Sequence, residues 1–113
     1  MSIIVFKTKQ DVIKLNLSDI YFIRSHPDKP HHLQVFTKEE SYDFLEKLAS
    51  LEASYPNDLI RCHRNCLVNP SHIKEIHLKD RLVVLGQQEV YKVSFSRRRQ
   101  QHLLQFWLTK GIE

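Results

Sequence analysis

Apolar and polar residues alternate, or apolar residues run together in short blocks, along most of this chain. Ile13, Leu15 and Leu17 alternate with polar neighbours, which is the period-two pattern of a strand with one buried face. Further segments with the β-branched and aromatic residues that favour strands occupy residues 3–6, 20–23, 33–36, 41–44, 82–85 and 90–95. Because short polar turns separate these segments, the pattern predicts about nine or ten short strands joined as hairpins.

Two segments instead have helical spacing. Between Leu45 and Ala53 apolar residues recur every three or four positions, which predicts one short internal helix that ends before Pro56. A second helix is predicted near the C-terminus, where the apolar positions are Leu103, Leu104, Phe106, Trp107 and Leu108. These five side chains cover an arc of about 200°, which is wider than one contact face requires. Burial of the whole arc against the domain is the favoured arrangement, and a spare face that meets a partner is the alternative. The expected fold is therefore all-β with one short internal helix and one C-terminal helix.

Length and composition narrow the class of protein. A chain of 113 residues with 42% hydrophobic and 27% charged residues is expected to form one globular domain over residues 1–113, not a disordered tail. No apolar run approaches the roughly 20 residues of a membrane helix, and the N-terminus lacks the apolar core of a signal peptide. We therefore expect no membrane association and a cytoplasmic location.

Charge is divided unevenly between the two halves of the chain. Residues 1–60 hold seven Lys and Arg against nine Asp and Glu, a net charge of −2. Residues 61–113 hold ten against four, a net charge of +6. A basic half suits a polyanion such as DNA, because cations that neutralise phosphates also release counterions. A basic protein with no such partner would show the same charges.

The densest polar cluster lies between Arg61 and Pro70, with two arginines, a histidine and two asparagines. If this segment forms one strand, its side chains alternate between two faces and arginines fall on both. Unpaired arginines are costly to bury. One end of the strand is therefore expected to leave the core and present Arg64 and Asn65 to a partner. Asn69 is expected to stabilise the turn before Pro70 instead of making a contact.

Metal binding and catalysis are both disfavoured by the same strand geometry. The metal-ligand residue types in this region are Cys62, His63, Cys66 and His72. On one strand Cys62 and Cys66 would be about 13 Å apart, too far for one zinc ion or for a disulfide. Cys62 and His63 would point to opposite faces, so they cannot act as nucleophile and base. No enzyme motif appears, and we expect no enzymatic activity and no cofactor.

Three polar segments carry the residue types that contact DNA. They are Lys29 with His31 and His32, Arg64 with Asn65, and Ser96 with Arg97, Arg98 and Arg99. Arginine can fork onto guanine and asparagine onto adenine in the major groove. Serine, lysine and the remaining arginines suit phosphates. Each segment alone is equally compatible with a solvated loop.

The central cluster resembles a motif of the LytTR DNA-binding domains of bacterial regulators, Arg-x-His-Arg-Ser-aromatic-x-Val-Asn. The matching positions are Arg61, His63, Arg64, Val68 and Asn69. Asn65 and Cys66 depart from the usual pair. The resemblance extends to Asp19–Ile23, which is similar to the family's Asp-Ile-x-x-Ile segment.

The resemblance implies a hairpin-rich LytTR-like fold that lies along double-stranded DNA while loops enter successive major grooves. It further implies transcription regulation at promoter sites arranged as repeats, with a possible homodimer on DNA. Family members usually carry a phosphorylated receiver domain, which does not fit within 113 residues. The chain is then an output domain of a two-component response regulator or a stand-alone regulator. An RNA-binding or protein-interaction β-module remains the alternative, and preference for a specific duplex over RNA or single strands discriminates between them.

Overall fold

The computed structural model describes residues 3–110 of the chain. Within that range the chain forms ten β-strands and two α-helices. The first five strands are β1 Ile3–Lys7, β2 Val12–Asn16, β3 Phe22–Ser25, β4 His32–Phe36 and β5 Ser41–Leu45. The remaining strands are β6 Ile60–His63, β7 Cys66–Val68, β8 Ile73–His77, β9 Leu82–Leu85 and β10 Tyr91–Ser94. The helices are α1 Leu48–Ser54 and α2 Gln100–Lys110. The expectation of a mostly β fold with an internal and a C-terminal helix is confirmed.

The strands form three antiparallel sheets. β1 pairs with β2, the order β10-β9-β8 makes a three-stranded sheet, and the order β5-β4-β3-β7-β6 makes a five-stranded sheet. Most neighbours follow each other in sequence, as expected for hairpins. The pairing of β3 with β7 is the exception, and it joins segments more than 40 residues apart. This pairing decides which loops lie at the same end of the five-stranded sheet.

Both faces of the five-stranded sheet are covered by apolar side chains. Ile23 in β3 and its cross-strand partner Leu67 in β7 belong to one buried cluster, with β1, α1 and β5. The neighbouring pair Phe22 and Val68 belongs to a second cluster, with β6, β9 and α2. Successive residues of a strand point to opposite faces, so a strand buried on both faces has a continuous apolar run. This explains why Phe22 and Ile23 lack the alternation seen in β2, where Ile13 and Leu15 are half-buried and their neighbours are exposed.

The central polar segment is a hairpin, and its interpretation as one strand was wrong. β6 ends at His63, the chain turns at Arg64 and Asn65, and β7 begins at Cys66. His63 pairs with Cys66, and a bulge lies between Arg61 and His63. The two residues expected at the end of a strand therefore form the tip of a turn, where both are exposed.

The hairpin also brings the two cysteines together. Cys62 Sγ lies 3.7 Å from the backbone oxygen of Cys66, and both thiols are free and buried. The separation of about 13 Å expected for a single strand is therefore wrong. Exclusion of a disulfide by distance is wrong for the same reason. The two side chains belong to the second apolar cluster, as small buried thiols do.

Several element boundaries differ from the sequence prediction, among them the starts of both helices. The internal helix begins at Leu48, since Leu45 pairs with His32 as the last residue of β5. At the C-terminus, Arg97–Arg99 forms a short 3-10 turn before α2. Leu103 of α2 is fully buried, whereas Leu108 is 58% exposed. The helix thus packs through part of its apolar arc. Within residues 3–110, neither helix is long and apolar enough to cross a membrane.

Candidate nucleic-acid interface

The β3–β4 loop, residues 26–31, holds the first predicted segment. His26 N donates to His32 O at 2.9 Å, and His32 N donates to Lys29 O at 3.3 Å. His31 is exposed and has φ +62°, in the left-handed region that non-glycine residues rarely adopt. His32, the first residue of β4, has Nδ1 2.9 Å from Pro30 O. Because a carbonyl oxygen only accepts, that ring nitrogen carries a proton.

Lys29 in the same loop already has an anionic partner. Its Nζ lies 2.8 Å from Asp43 Oδ2 on β5, and the lysine side chain is 54% exposed. The hydrogen bond from Lys29 lowers the pKa of Asp43, and the nearby His26 lowers it further. Asp43 is therefore an ionised carboxylate at neutral pH. A phosphate that approached Lys29 would share its ammonium with this carboxylate.

The β6–β7 turn holds the second segment, and side chains behind it fix its backbone. Arg61 Nη1 donates to Arg64 O at 2.7 Å, while Arg61 Nη2 lies 3.1 Å from Glu52 Oε1 on α1. His63 Nδ1 accepts from Asn65 N at 3.3 Å. The side chains of Arg64 and Asn65 remain exposed. The turn therefore presents two polar side chains on a backbone held from the protein side.

The third segment follows β10 and leads into α2. Ser96 N donates to Cys62 O at 2.9 Å, which attaches this segment to β6 beside the β6–β7 turn. Arg99 N donates to Ser96 O at 3.1 Å, closing the 3-10 turn that carries the three arginines. Arg97 and Arg98 are exposed and Arg99 is half-buried.

The three segments converge at one end of the five-stranded sheet, with Arg64 between the other two. β3 and β7 are antiparallel with Arg24 opposite Cys66, so the β3–β4 loop and the β6–β7 turn leave the sheet at the same end. Ser25 N donates to Asn65 O at 3.0 Å and joins them directly. One cleft of about 320 Å³ is lined by His31, His32 and Arg64 among others. A second cleft, of about 350 Å³, is lined by His63, Arg64, Ser96, Arg98 and Arg99.

The structure adds polar residues that the sequence analysis did not select. A neighbouring cleft of about 520 Å³ contains Arg24, His26, His63 and Lys92 along with Asn65. Arg24 is exposed, donates from Nε to Gln34 Oε1 at 2.8 Å, and lies 5.2 Å from the centre of the Phe36 ring. Arg24 could have been found from the sequence, because it is a cation directly after the apolar segment 20–23. Nothing local in the sequence indicates the place of Lys92 beside Asn65.

The buried cysteines beside the β6–β7 turn lie close to this surface. The side-chain hydrogen bond that it shares with Cys62, together with burial, raises the pKa of the Cys66 thiol well above its ordinary value. A protonated, buried thiol is a poor nucleophile. Within residues 3–110, no three His, Cys, Asp or Glu side chains are grouped so that they could hold a metal ion.

The family model of the LytTr DNA-binding domain matches residues 10–107. The chain belongs to the LytTR family. Its fold is similar to a solved structure of the LytTr DNA-binding domain of a protein described as a methyl-accepting/DNA response regulator from Bacillus cereus. The TM-score is 0.73 at 23% sequence identity, over 94% of this chain and 96% of the other. No curated protein matches the sequence significantly. Membership of the LytTR family makes this chain a DNA-binding domain and does not point to an enzyme.

Proposed function

We propose that this LytTR domain, one domain over residues 1–113, binds double-stranded DNA sequence-specifically and regulates transcription in the cytoplasm. The observation that carries the proposal is the position of Arg64, which shares one cleft with His31 and His32 and another with Arg98 and Arg99. A duplex that contacts the β6–β7 turn would therefore meet the other two segments on either side. Such an arrangement suits contacts to bases at the centre and to phosphates at the flanks.

Each segment has a proposed role in that complex. Arg64 and Asn65 read base edges in the major groove, because both side chains are exposed and their backbone is held by Arg61 and His63. The residues proposed to contact phosphates or flanking bases are Lys29, His31, His32, Ser96, Arg97, Arg98 and Arg99. Target sites are promoter repeats, occupied by two copies of the domain.

An RNA or single-strand binder would use exposed aromatic rings as stacking platforms. Three aromatic rings between the five-stranded and three-stranded sheets are instead packed on each other. Phe22 stacks on Phe36 with ring centroids 4.4 Å apart, and Tyr91 meets both edge-on. Phe22 is buried and the other two rings are half-buried. These contacts favour a duplex as the ligand.

The deciding experiment selects bound duplexes from a random DNA pool. The selected duplex is then compared with a scrambled duplex, its separate strands and the matching RNA at one stated salt concentration. We expect the selected duplex to bind best by a wide margin. Equal affinity for the scrambled duplex would contradict sequence-specific binding, and preference for RNA or single strands would support the alternative β-module.

Arg64→Ala should weaken binding to the selected duplex by about 1–3 kcal/mol and relax base choice, because one forked contact to a base is lost. Arg64→Lys keeps the charge but cannot form the two parallel hydrogen bonds of a guanidinium, so it should relax base choice with a smaller loss of affinity. Lys38→Ala is the control, since Lys38 lies in the β4–β5 turn at the opposite end of β4 from His32. Wild-type affinity and selectivity in Arg64→Ala would remove Arg64 from the base-reading site.

A further inference from the structure

We propose that His26 is a positioning residue that holds the β3–β4 loop in the shape in which it meets DNA. It acts through an unprotonated Nδ1 atom. This inference rests on the proposed function, since contact between that loop and DNA is itself part of the proposal. His26 makes no proposed contact with the duplex.

The ring of His26 is bonded on both sides. Its Nδ1 accepts from the backbone N–H of Asp28 at 3.0 Å and of Lys29 at 3.1 Å. Since a backbone N–H only donates, Nδ1 carries no proton and the proton of the neutral ring lies on Nε2. Nε2 lies 3.4 Å from Asp43 Oδ2, close enough to donate to that carboxylate. The side chain is 9% exposed, so water does not replace these bonds readily.

These bonds connect the loop to β5 at two points. The ring links the Asp28 and Lys29 backbone to Asp43, and the Lys29 ammonium returns to the same carboxylate at 2.8 Å. His31, the proposed contact residue, follows two positions later at φ +62°. That conformation costs free energy and persists only where the surrounding chain is fixed.

Packing cannot give the loop its shape. Every residue from Pro27 to His31 is exposed, and none belongs to either apolar cluster. Loops without buried side chains are ordered by their hydrogen bonds. The His26 ring supplies the acceptor for two of the loop's N–H groups. An apolar ring or chain at position 26 would fill the same space and leave both donors without their acceptor.

Two substitutions separate the acceptor from the rest of the side chain. Asparagine Oδ1, like histidine Nδ1, is bonded to Cγ, so His26→Asn can accept the same two N–H bonds without a titratable ring. His26→Leu has similar bulk and no acceptor. We expect His26→Leu to bind the selected duplex at least about fivefold more weakly than wild type, and His26→Asn to recover most of that loss. Equal affinities of His26→Leu and wild type would overturn the proposal.

Two measurements on the free domain test the positioning without DNA. The ¹⁵N spectrum of the imidazole at about pH 7.5 should show Nδ1 unprotonated and Nε2 protonated. A protonated Nδ1 would overturn the proposal even if His26→Leu failed to fold. Hydrogen exchange of the Asp28 and Lys29 amides should accelerate in His26→Leu and stay slow in His26→Asn. Slow exchange in both variants would also overturn it.

His31→Ala is measured in parallel. It distinguishes a wrong role for His26 from a wrong assignment of the β3–β4 loop to the DNA interface. If His31→Ala weakens binding and His26→Leu does not, the loop contacts DNA without help from His26, and the positioning role is overturned. If neither affects binding while exchange accelerates in His26→Leu, the loop is not part of the DNA contact. In that case the proposed function fails at this loop.

Discussion

Asn69 shows how one buried residue can join distant parts of this fold. It is only 4% exposed. Oδ1 accepts from Ser71 N at 3.0 Å, which confirms the expectation that Asn69 stabilises the turn at Pro70. Nδ2 donates to Leu17 O at 3.0 Å and to Ile20 O at 2.9 Å. These two bonds span about 50 residues of sequence, so no local pattern could have predicted them.

Asn69→Ala should lower the free energy of unfolding by about 3 kcal/mol, because it leaves the Ile20 carbonyl and the Ser71 N–H without this partner and removes one of the two bonds to the Leu17 carbonyl, which still accepts from Ile20 N. Urea denaturation measures the loss. Asn69→Asp keeps the acceptor for Ser71 but removes both donors, so it should be at least as destabilising. Asn57→Ala, at an exposed turn, is the matched control. Wild-type stability in Asn69→Asp would mean that the bonds to Leu17 and Ile20 contribute little.

The Cys66 thiol makes stability depend on pH in the alkaline range. Its pKa is raised in the folded state by the side-chain hydrogen bond that it shares with Cys62 and by burial. The folded protein therefore keeps this proton at pH values where the unfolded chain loses it. The stabilising contribution is complete below the unfolded value of about 8.5 and is lost as pH rises through the folded value.

The free energy of unfolding under reducing conditions should accordingly fall between about pH 8 and pH 10, by up to about 1.4 kcal/mol per pH unit from this proton. Cys66→Ala should show a shallower fall, whatever its stability at neutral pH. Tyr42 and Tyr91 also have raised pKa values and contribute to both proteins. Identical slopes for the two proteins would exclude Cys66 as the source.

At the scale of elements, most strands and both helices could be predicted from the sequence, but the central hairpin could not. Two-residue hairpin turns are usually marked by Asn-Gly or Asp-Gly, since their commonest forms need positive φ angles. Within residues 3–110 the non-glycine positive-φ residues are His31, Arg81 and Glu89, so the Arg64-Asn65 turn avoids that conformation. A turn that lacks Asn-Gly or Asp-Gly has the same polar residues as the exposed end of a strand. The pattern of apolar and polar positions therefore cannot distinguish the two.

Arg61 couples this turn to α1, and Arg61→Lys should separate DNA binding from stability. Lysine keeps the charge but cannot bond Arg64 O and Glu52 in the forked geometry of arginine. Arg61 Nε is buried without a partner, so replacing it also removes an unfavourable group. We expect specific DNA binding to weaken by about 1 kcal/mol while the free energy of unfolding changes by less than about 1 kcal/mol.

Fluorescence anisotropy with the selected duplex and urea denaturation measure the two quantities for Arg61→Lys. Glu52→Gln should weaken binding less, since it leaves the bond from Arg61 to Arg64 O in place. Arg81→Lys, at the β8–β9 turn, controls for the general effect of the substitution. Unchanged DNA affinity in Arg61→Lys would show that the turn keeps its shape without the guanidinium.

At the scale of the whole molecule, the sequence contained the three polar segments but not their convergence. The residue types of Lys29 to His32, of Arg64 and Asn65, and of Ser96 to Arg99 could be recognised one segment at a time. Their meeting depends on the pairing of β3 with β7 and on the bond from Ser96 N to Cys62 O. Contacts between residues so distant in sequence depend on how the two apolar clusters pack on one sheet. A short stretch of sequence does not contain this information.

The uneven charge of the chain gives the last prediction, which concerns the salt dependence of DNA binding. Replacing Arg97, Arg98 and Arg99 with alanine should lower affinity for all duplexes alike. Each lost phosphate contact should also reduce the slope of log K against log salt by about 0.9, a change of about 2.7 if all three contact phosphates. Arg98 and Arg99 share the cleft with Arg64, so a reduction of at least about 1.8 is expected.

The control for this triple variant removes the same three charges from another surface. Lys7, Lys9 and Lys14 lie exposed on the β1–β2 hairpin and line none of the three clefts described above. Their replacement by alanine lowers the net charge of the protein by the same amount, so it tests whether long-range attraction alone sets the slope. We expect the lysine variant to keep the wild-type slope within about 0.5. Equal slopes for the arginine and lysine variants would mean that the three arginines before α2 act through net charge and not through contact with the DNA backbone.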